Sequence, residues 1–484
     1  MRHWSLLLLL HAVLTLPVVA QPYTLLTPIS EYSDESFGAH LSATDEFIAV
    51  GAPNDDEVDL NAGAVYLYHK SNGSWTLDEK LFPPETGVTR FGRSVLLSEY
   101  FLAVTGYYSD QYIDELRLYV FARTANGWEQ DSQLILSTIP QRTTLSMSGD
   151  VMVVGYPTWY PPSANFTGRA QGFSSSSGTW TSTGTIQPND LGSYDFFGID
   201  VSVDGTLSLI GSAKGSAGAA YIFNYGADGW TQQEKISPAG LNDGAGFGNT
   251  VSLSGTTAFI GAPGDDTAAE GAGAVYIFEP SGAAWVEIDR ITASDAAPNR
   301  NFGRDIDLEG ILLAVGSPAG PDAPGAAYLY EYSGSEWLEE AVAEEPIPGT
   351  GRLFGETVQV TESHLVVGAP AYSNTGISGE VYVFSRTPVA NESTGSLSNF
   401  NLSVAPNPAT TVATARFMLA EASSISVSVH DILGRTVLIV PPATLAPGTH
   451  SLPLQVESLP SGLYFLQLRA GDLNIRKPFS RINR

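Results

Sequence analysis

Cysteine is absent from the 484 residues. No disulfide, thiolate metal site or lipid-bearing cysteine is therefore available, and stability has to come from packing. Basic residues are scarce: 23 Lys and Arg stand against 51 Asp and Glu, for a formal net charge of −28. The deficit is uneven, because residues 397–484 hold seven basic and four acidic side chains, leaving 16 basic and 47 acidic in residues 1–396. A surface of that sign argues against nucleic acid as a partner, since binding phosphates needs a basic face. It fits a solubility role or a salty habitat. Histidine is thin as well: beyond the N-terminal segment only His40, His69, His364, His430 and His450 occur, with no metal-ligand spacing. Neither a G-x-S-x-G elbow nor an H-E-x-x-H pair is present. Paired carboxylates carry little information in so acidic a chain.

Long apolar runs are confined to the N-terminus. MRHWSLLLLLHAVLTLPVVAQ has Arg2 ahead of an apolar stretch and the small residues Val18 and Ala20 before Gln21, the pattern of a secretory signal peptide over residues 1–20. The run is shorter than the roughly 20 residues that a span needs. No later segment is long and apolar enough, so no transmembrane segment is expected and the protein should be exported.

What the chain has in abundance is glycine, aromatics and a repeat. Phe37 to Gly51, Phe197 to Gly211, Phe247 to Gly261, Phe302 to Gly316 and Phe354 to Gly368 share one fourteen-residue step, each Phe being followed by Gly. Phe91 to Thr105 keeps the step, and Gln141 to Gly155 is a degenerate copy, which makes seven. After each comes a strand-like run such as GAVYLY at Gly63 or GAVYIF at Gly273, and six copies then place a tryptophan: Trp75, Trp128, Trp180, Trp230, Trp285 and Trp337. A period of about 49 to 57 residues suits one four-stranded blade of a β-propeller. Within one unit, Val251–Ser254 and Thr257–Gly261 read as a hairpin, followed by strands at Ala274–Phe278 and Trp285–Ile291. The seventh unit stops after Phe384 without a tryptophan-type strand, and YTLLTPI, Tyr23 to Ile29, is placed to supply it and close the ring. The fold expected is all-β: a seven-bladed propeller over residues 21–386.

This pattern resembles the FG-GAP repeat, the blade of the integrin α-subunit head and of many bacterial surface proteins. In integrin blades that bind calcium, the hairpin before Gly-Ala-Pro is an Asp-rich loop. Here the hairpins read SATDE, SEY, SGD, VDG, SGT, LEG and TES, too short and too poor in oxygen to cage a cation that takes six to eight ligands. The family's calcium sites are therefore not carried over.

After a polar linker, residues 387–399, the pattern changes. Strands are expected at Ala413–Leu419, Ser424–His430, Thr436–Val440, Thr449–Leu454, Gly462–Arg469 and Ile475–Phe479, spaced as in a small Ig-like β-sandwich over residues 400–484. Its landmarks are APNPATT at Ala405, VHDILGR at Val429, LAPGTHSL at Leu445 and LPSGLYFLQL at Leu459. In that order they resemble the C-terminal sorting domain of type IX secretion cargo. The resemblance implies the type IX secretion machinery as a partner, a Gram-negative host, export, removal of the domain, and release or attachment at the outer cell surface.

Two groups of residues are candidates for a site. The loops after Gly-Ala-Pro share one face of a propeller, and in blades 2 and 3 they read GYYSDQYIDE and GYPTWYPPSAN. They carry Tyr107, Tyr108, Tyr112, Trp159 and Tyr160, with Tyr156 beside them. Exposed aromatics stack on sugar rings or partner proteins, although the same residues can lid the channel or pack under the irregular third blade. In blades 1 and 5 the equivalent loops hold Asp55, Asp56, Asp59, Asp265 and Asp266, oxygens for a calcium ion or acidic turns that bond their own backbone. No cofactor beyond that calcium is expected. Two functions follow: a non-catalytic binding or adhesion protein meeting an extracellular protein or carbohydrate, or a secreted hydrolase of polysaccharide or glycoconjugate with carboxylates in the central depression.

Overall fold

The computed structural model describes residues 23–28, 36–71, 73–98, 101–110, 112–124, 127–137, 143–148, 151–159, 166–176, 179–213, 217–282, 284–319, 324–347, 352–371 and 377–386, and, in the C-terminal unit, 403–405, 409–419, 423–431, 436–457, 459, 462–470 and 473–481. The expected signal peptide and linker lie outside them. The chain divides into two compact units, Met1–Thr387 and Pro388–Arg484.

The first unit is a seven-bladed propeller of antiparallel sheets. Blade 5 shows the plan, with strands Val251–Ser254, Thr257–Ala262, Ala274–Ser281 and Ala284–Ile291 pairing in chain order. Its second strand and the start of its third are buried on both faces, because a blade is sandwiched between neighbours. Its fourth is largely exposed. First strands of successive blades lie side by side around the axis.

The core is not one cluster but seven, each filling the junction between consecutive blades. In six of them the ring of the Phe-Gly motif is the centre: Phe37, Phe91, Phe197, Phe247, Phe302 and Phe354 are all fully buried. Each meets the tyrosine of the third strand edge-on, as in Phe247 against Tyr276 at 5.4 Å and 74°. The junction of blades 2 and 3 lacks the phenylalanine and uses Tyr156 and Phe173 instead. The repeated tryptophans bridge backward to the preceding blade, seen directly in Trp75 on His364, Trp128 on Phe47, Trp337 on Phe259, and Trp230 donating to Thr183 Oγ1 at 2.9 Å.

The motif glycines form the backbone half of the same latch. A Cβ on Gly211 of blade 4 would lie 2.0 Å from the carbonyl oxygen of Gly248 in blade 5, and Gly248 itself has φ of +84°. Only glycine meets both demands.

Ring closure takes the expected form. Tyr23–Leu26 pairs antiparallel with Glu380–Ser385, Tyr23 opposite Phe384 and Leu26 opposite Val381. Glu380–Ser385 thus has a partner on each side. The closing junction adds a polar clasp: Asp45 of blade 1 accepts from Thr361 Oγ1 at 2.6 Å and from the Ser363 amide at 3.1 Å in blade 7.

The second unit is a sandwich of a three-stranded sheet (Ser403–Ala405, Val412–Leu419, Gly448–Gln455) and a four-stranded one (Thr436–Leu445, Ser423–Asp431, Gly462–Ala470, Leu473–Arg481). Phe417 and Leu454 from one sheet and Val427, Val429 and Leu466 from the other share its core. Two features differ from the sequence reading: Ser403–Ala405 adds a strand, and Thr436–Leu445 continues through two prolines as an edge strand.

Candidate functional site

The aromatic residues of blades 2 and 3 do not form one loop surface. Tyr107 and Tyr108 lie inside the second strand of blade 2, Phe101–Ser109, whose end is held by Val88–Thr89. This corrects their assignment to a loop. As neighbours in a strand they point to opposite sides: Tyr107 packs against the core between blades 2 and 3, and Tyr108 against that between blades 1 and 2. Tyr108 also lies under the Arg117 guanidinium at 3.6 Å. Tyr156 is wholly buried, its hydroxyl donating to Leu136 O at 2.9 Å. Trp159 is half-buried on the blade 2–3 core with Arg169 5.3 Å from its ring. Tyr112 is 82% exposed. Tyr160 lies outside the described residues.

The acidic loops have protein donors. Asp55, fully buried, accepts from the Tyr66 hydroxyl at 2.9 Å, Lys80 Nζ at 2.9 Å and the Glu57 amide at 3.1 Å. Asp265 repeats this with Tyr276 at 2.6 Å and the Thr267 amide at 2.7 Å. Asp56 and Asp266 accept from the amides of Asn61 and Gly271, and Asp59 from that of Leu60. The tyrosine–carboxylate bond recurs in six blades, continuing with Tyr119 and Glu85, Tyr221 and Asp190, Tyr328 and Asp295, and Tyr382 and Glu380. In five of the six a Lys or Arg pairs with the carboxylate: Lys80, Arg117, Lys235, Arg300 and Arg352. Burial, then the Asp265 partner, pushes the Tyr276 phenol well above its ordinary range. Among the described residues no three carboxylates or imidazoles come together as a metal would need.

Carboxylates also line the axis. Asp200 of blade 4 accepts from the Val251 amide at 2.7 Å and Thr250 Oγ1 at 3.0 Å in blade 5. Asp305 and Asp307 of blade 6 accept from the amides of Val358 and Val360 in blade 7, each at 2.8 Å. Desolvation beside the axis raises Asp200 and Asp307, both of which keep intermediate solvent exposure, to about 6. Asp305 is raised well above the usual carboxylate range, by desolvation first and then by like charge from Asp200 and Asp307. Serines do the same work elsewhere: Ser202 accepts from Leu253 N, and Ser146 and Ser148 from Val203 N and Gly205 N, all at 3.0 Å. Where serine and aspartate fill one role, the requirement is for a hydrogen-bond acceptor, not for an acid. These side chains clip each blade to the next.

One feature breaks the repeat. At the junctions of blades 1–2, 3–4 and 5–6 the same amide–carbonyl bond crosses the loop face: Arg90 N to Asn61 O at 2.7 Å, Phe196 N to Phe166 O at 3.2 Å, and Asn301 N to Gly271 O at 3.1 Å. The residues that make it are left-handed in every case, and so is the position three before the Phe-Gly motif at blades 4, 5 and 6. Gly244, Gly246, Gly271, Asn61, Asn299 and Asn301 suit that conformation. Blades 3 and 4 instead carry Phe166, Tyr194 and Phe196, at φ of 44°, 68° and 53°. A bulky side chain there costs about 1–3 kcal/mol each. The three rings gather: Phe166 and Phe196 are near-parallel at 5.8 Å and 15°, with Tyr194 at 5.9 and 6.4 Å from them. Tyr194 is 48% exposed. This cluster lies on the link into the next blade, whereas the aromatic pattern in the sequence is densest in the loops after Gly-Ala-Pro. The signal was legible as aromatics at left-handed positions that hold Gly, Asn or, once, Arg90 in the other copies.

Residues 26–68, 180–223, 230–278 and 285–330 match the FG-GAP repeat, and residues 403–479 match the secretion system C-terminal sorting domain. The propeller contains four FG-GAP repeats, and the chain carries a type IX secretion sorting domain. Each matched FG-GAP segment starts at or near the fourth strand of one sheet and ends in the third strand of the next blade, so the repeat unit spans the junction that its phenylalanine fills. The protein is secreted or attached to the outer surface of a Gram-negative bacterium. Among the described residues no helix is long and apolar enough to cross a membrane. No curated protein sequence matches the chain. Among solved structures, a protein from Lactobacillus plantarum aligns at 11% identity over 84% of this chain and 99% of its own, with a TM-score of 0.44. A functionally unknown protein from Desulfotomaculum acetoxidans aligns at 11% identity over 66% of this chain and 95% of its own, TM-score 0.41. PorZ, a surface component of the type IX secretion system of Porphyromonas gingivalis, aligns at 12% identity over 92% and 70%, TM-score 0.30.

Proposed function

We propose that the protein is a non-catalytic binding or adhesion module, exported by its sorting domain, with the propeller's loop face as the working surface. The observation that supports this most is where the repeat is broken. Hydrogen-bonding and packing positions recur from blade to blade, whereas the loop face at blades 2 to 4 departs from the pattern with Tyr112, Phe166, Tyr194 and Phe196. A rigid ring that varies its loops is the usual way a scaffold carries recognition. The hydrolase reading draws no support from the axial acids, since Asp200, Asp305 and Asp307 each hold a backbone amide of the next blade.

The test is depletion of the secreted protein from solution by intact cells and by insoluble polysaccharide, with release of soluble sugar followed in the same tubes. Depletion without sugar release is the expected outcome. Sugar release that scales with protein would replace binding by hydrolysis.

A further inference from the structure

We propose that Phe166, Tyr194 and Phe196 form a stacking platform for an uncharged glycan at the junction of blades 3 and 4. The inference rests on the binding-module reading and names both its site and its ligand class.

Strain is the first ground. The backbone bond between Phe196 and Phe166 is made equally by Arg90 with Asn61 and by Asn301 with Gly271, so the junction needs no aromatic ring to form. Three bulky residues in left-handed conformations, all at one junction, are a departure that the fold does not require, and such departures gather at functional sites.

Size and shape point to the ligand. Ring centres 5.8 to 6.4 Å apart make a patch on the scale of one or two pyranose rings. A stable protein partner would need on the order of 800 Å² from each side, far more than three rings offer. Aromatic faces attract the C–H face of a sugar while its hydroxyls remain at the polar rim. That rim includes Asp195, between Tyr194 and Phe196, whose carboxylate holds the Gly192 amide at 2.6 Å.

Charge narrows the class. Residues 1–396 hold 47 acidic and 16 basic side chains, so sialylated, uronic or sulfated chains meet repulsion. An uncharged, hydroxyl-rich chain does not.

The test replaces the three residues by asparagine, which Asn61, Asn299 and Asn301 supply at the equivalent positions, as F166N, Y194N and F196N together in the full secreted chain. Wild type and variant are applied to a microarray of neutral and anionic oligosaccharides, and their thermal unfolding is compared. The expected result is retention of wild type on neutral glycans only, at least tenfold weaker signal for the variant, and an unfolding temperature equal to or above wild type because asparagine tolerates the left-handed backbone. A lower unfolding temperature would show that the rings serve packing, and would overturn the proposal. Equal glycan binding by both proteins would move the site elsewhere while leaving the binding-module reading intact. If the wild type bound anionic glycans, or proteins and no glycan, the ligand class would be wrong. Binding to neither glycans, cells nor proteins would remove the binding-module reading together with the site.

Discussion

Gly211 of blade 4 packs so closely on Gly248 of blade 5 that a single added methyl would sit 2.0 Å from the Gly248 carbonyl oxygen. The same contact joins Gly51 to Gly92, Gly261 to Gly303, Gly316 to Gly355 and, at the point of closure, Gly368 to Gly38. Gly211→Ala is expected to force the two blades apart and destabilise the ring by about 1–3 kcal/mol or more. Thermal unfolding reads this, and a variant as stable as wild type would mean that the junction yields easily.

Closure by the N-terminal strand carries a second expectation. Deleting Tyr23–Leu26 leaves the outer edge of Glu380–Ser385 unpaired, an open edge that invites pairing with other chains. The truncated protein should melt earlier and elute partly as aggregate on size exclusion. A monodisperse truncation with an unchanged melting curve would mean that the ring closes by other contacts.

The tyrosine–carboxylate pairs predict the response to mutation and to calcium. Tyr276→Phe removes the hydroxyl that reaches Asp265 at 2.6 Å and should cost about 1–3 kcal/mol, because a buried carboxylate loses a donor. Millimolar calcium should leave the unfolding temperature of wild type unchanged, the oxygens of Asp55 and Asp265 having donors of their own. A calcium-dependent rise lost on mutating Asp55 or Asp265 would assign them to a cation instead.

Acid should stabilise the propeller over a defined window. Asp200 and Asp307 are raised to about 6 in the fold and Asp305 is raised as well, so the folded state holds protons that the unfolded chain releases near pH 4. Their favourable contribution is complete below about pH 4 and is lost as pH rises through 6. Asp45 is shifted the other way, chiefly by the His364 imidazole 3.8 Å away, so its stabilising contribution is present above about pH 4 and is lost only as pH falls below that. Unfolding temperature should therefore increase between pH 7.5 and 5, and D200N with D307N should flatten that slope. An opposite slope in wild type would contradict the raised titration of these acids.

Much of the architecture was legible because a repeat multiplies weak signals. One Phe-Gly pair means little, but six in register with tryptophans behind them locate blades, junctions and the missing strand that Tyr23–Leu26 supplies. The site was less legible. Tyr107 and Tyr108 read as loop because the blade template ends the second strand earlier, and only the pairing of Val88–Thr89 with them extends it. Asp55 and Asp265 looked like ligands since sequence does not show the tyrosine eleven residues on folding back to each. Phe166, Tyr194 and Phe196 lie up to 30 residues apart and meet only when two blades are docked.

Export through the C-terminal domain is the claim on which the binding role depends, and intact mass with N-terminal sequencing of protein recovered outside the cell measures it directly. The expected product begins at Gln21 and lacks most of residues 400–484. Surface protein that still carries the C-terminal sandwich would contradict processing by the type IX route.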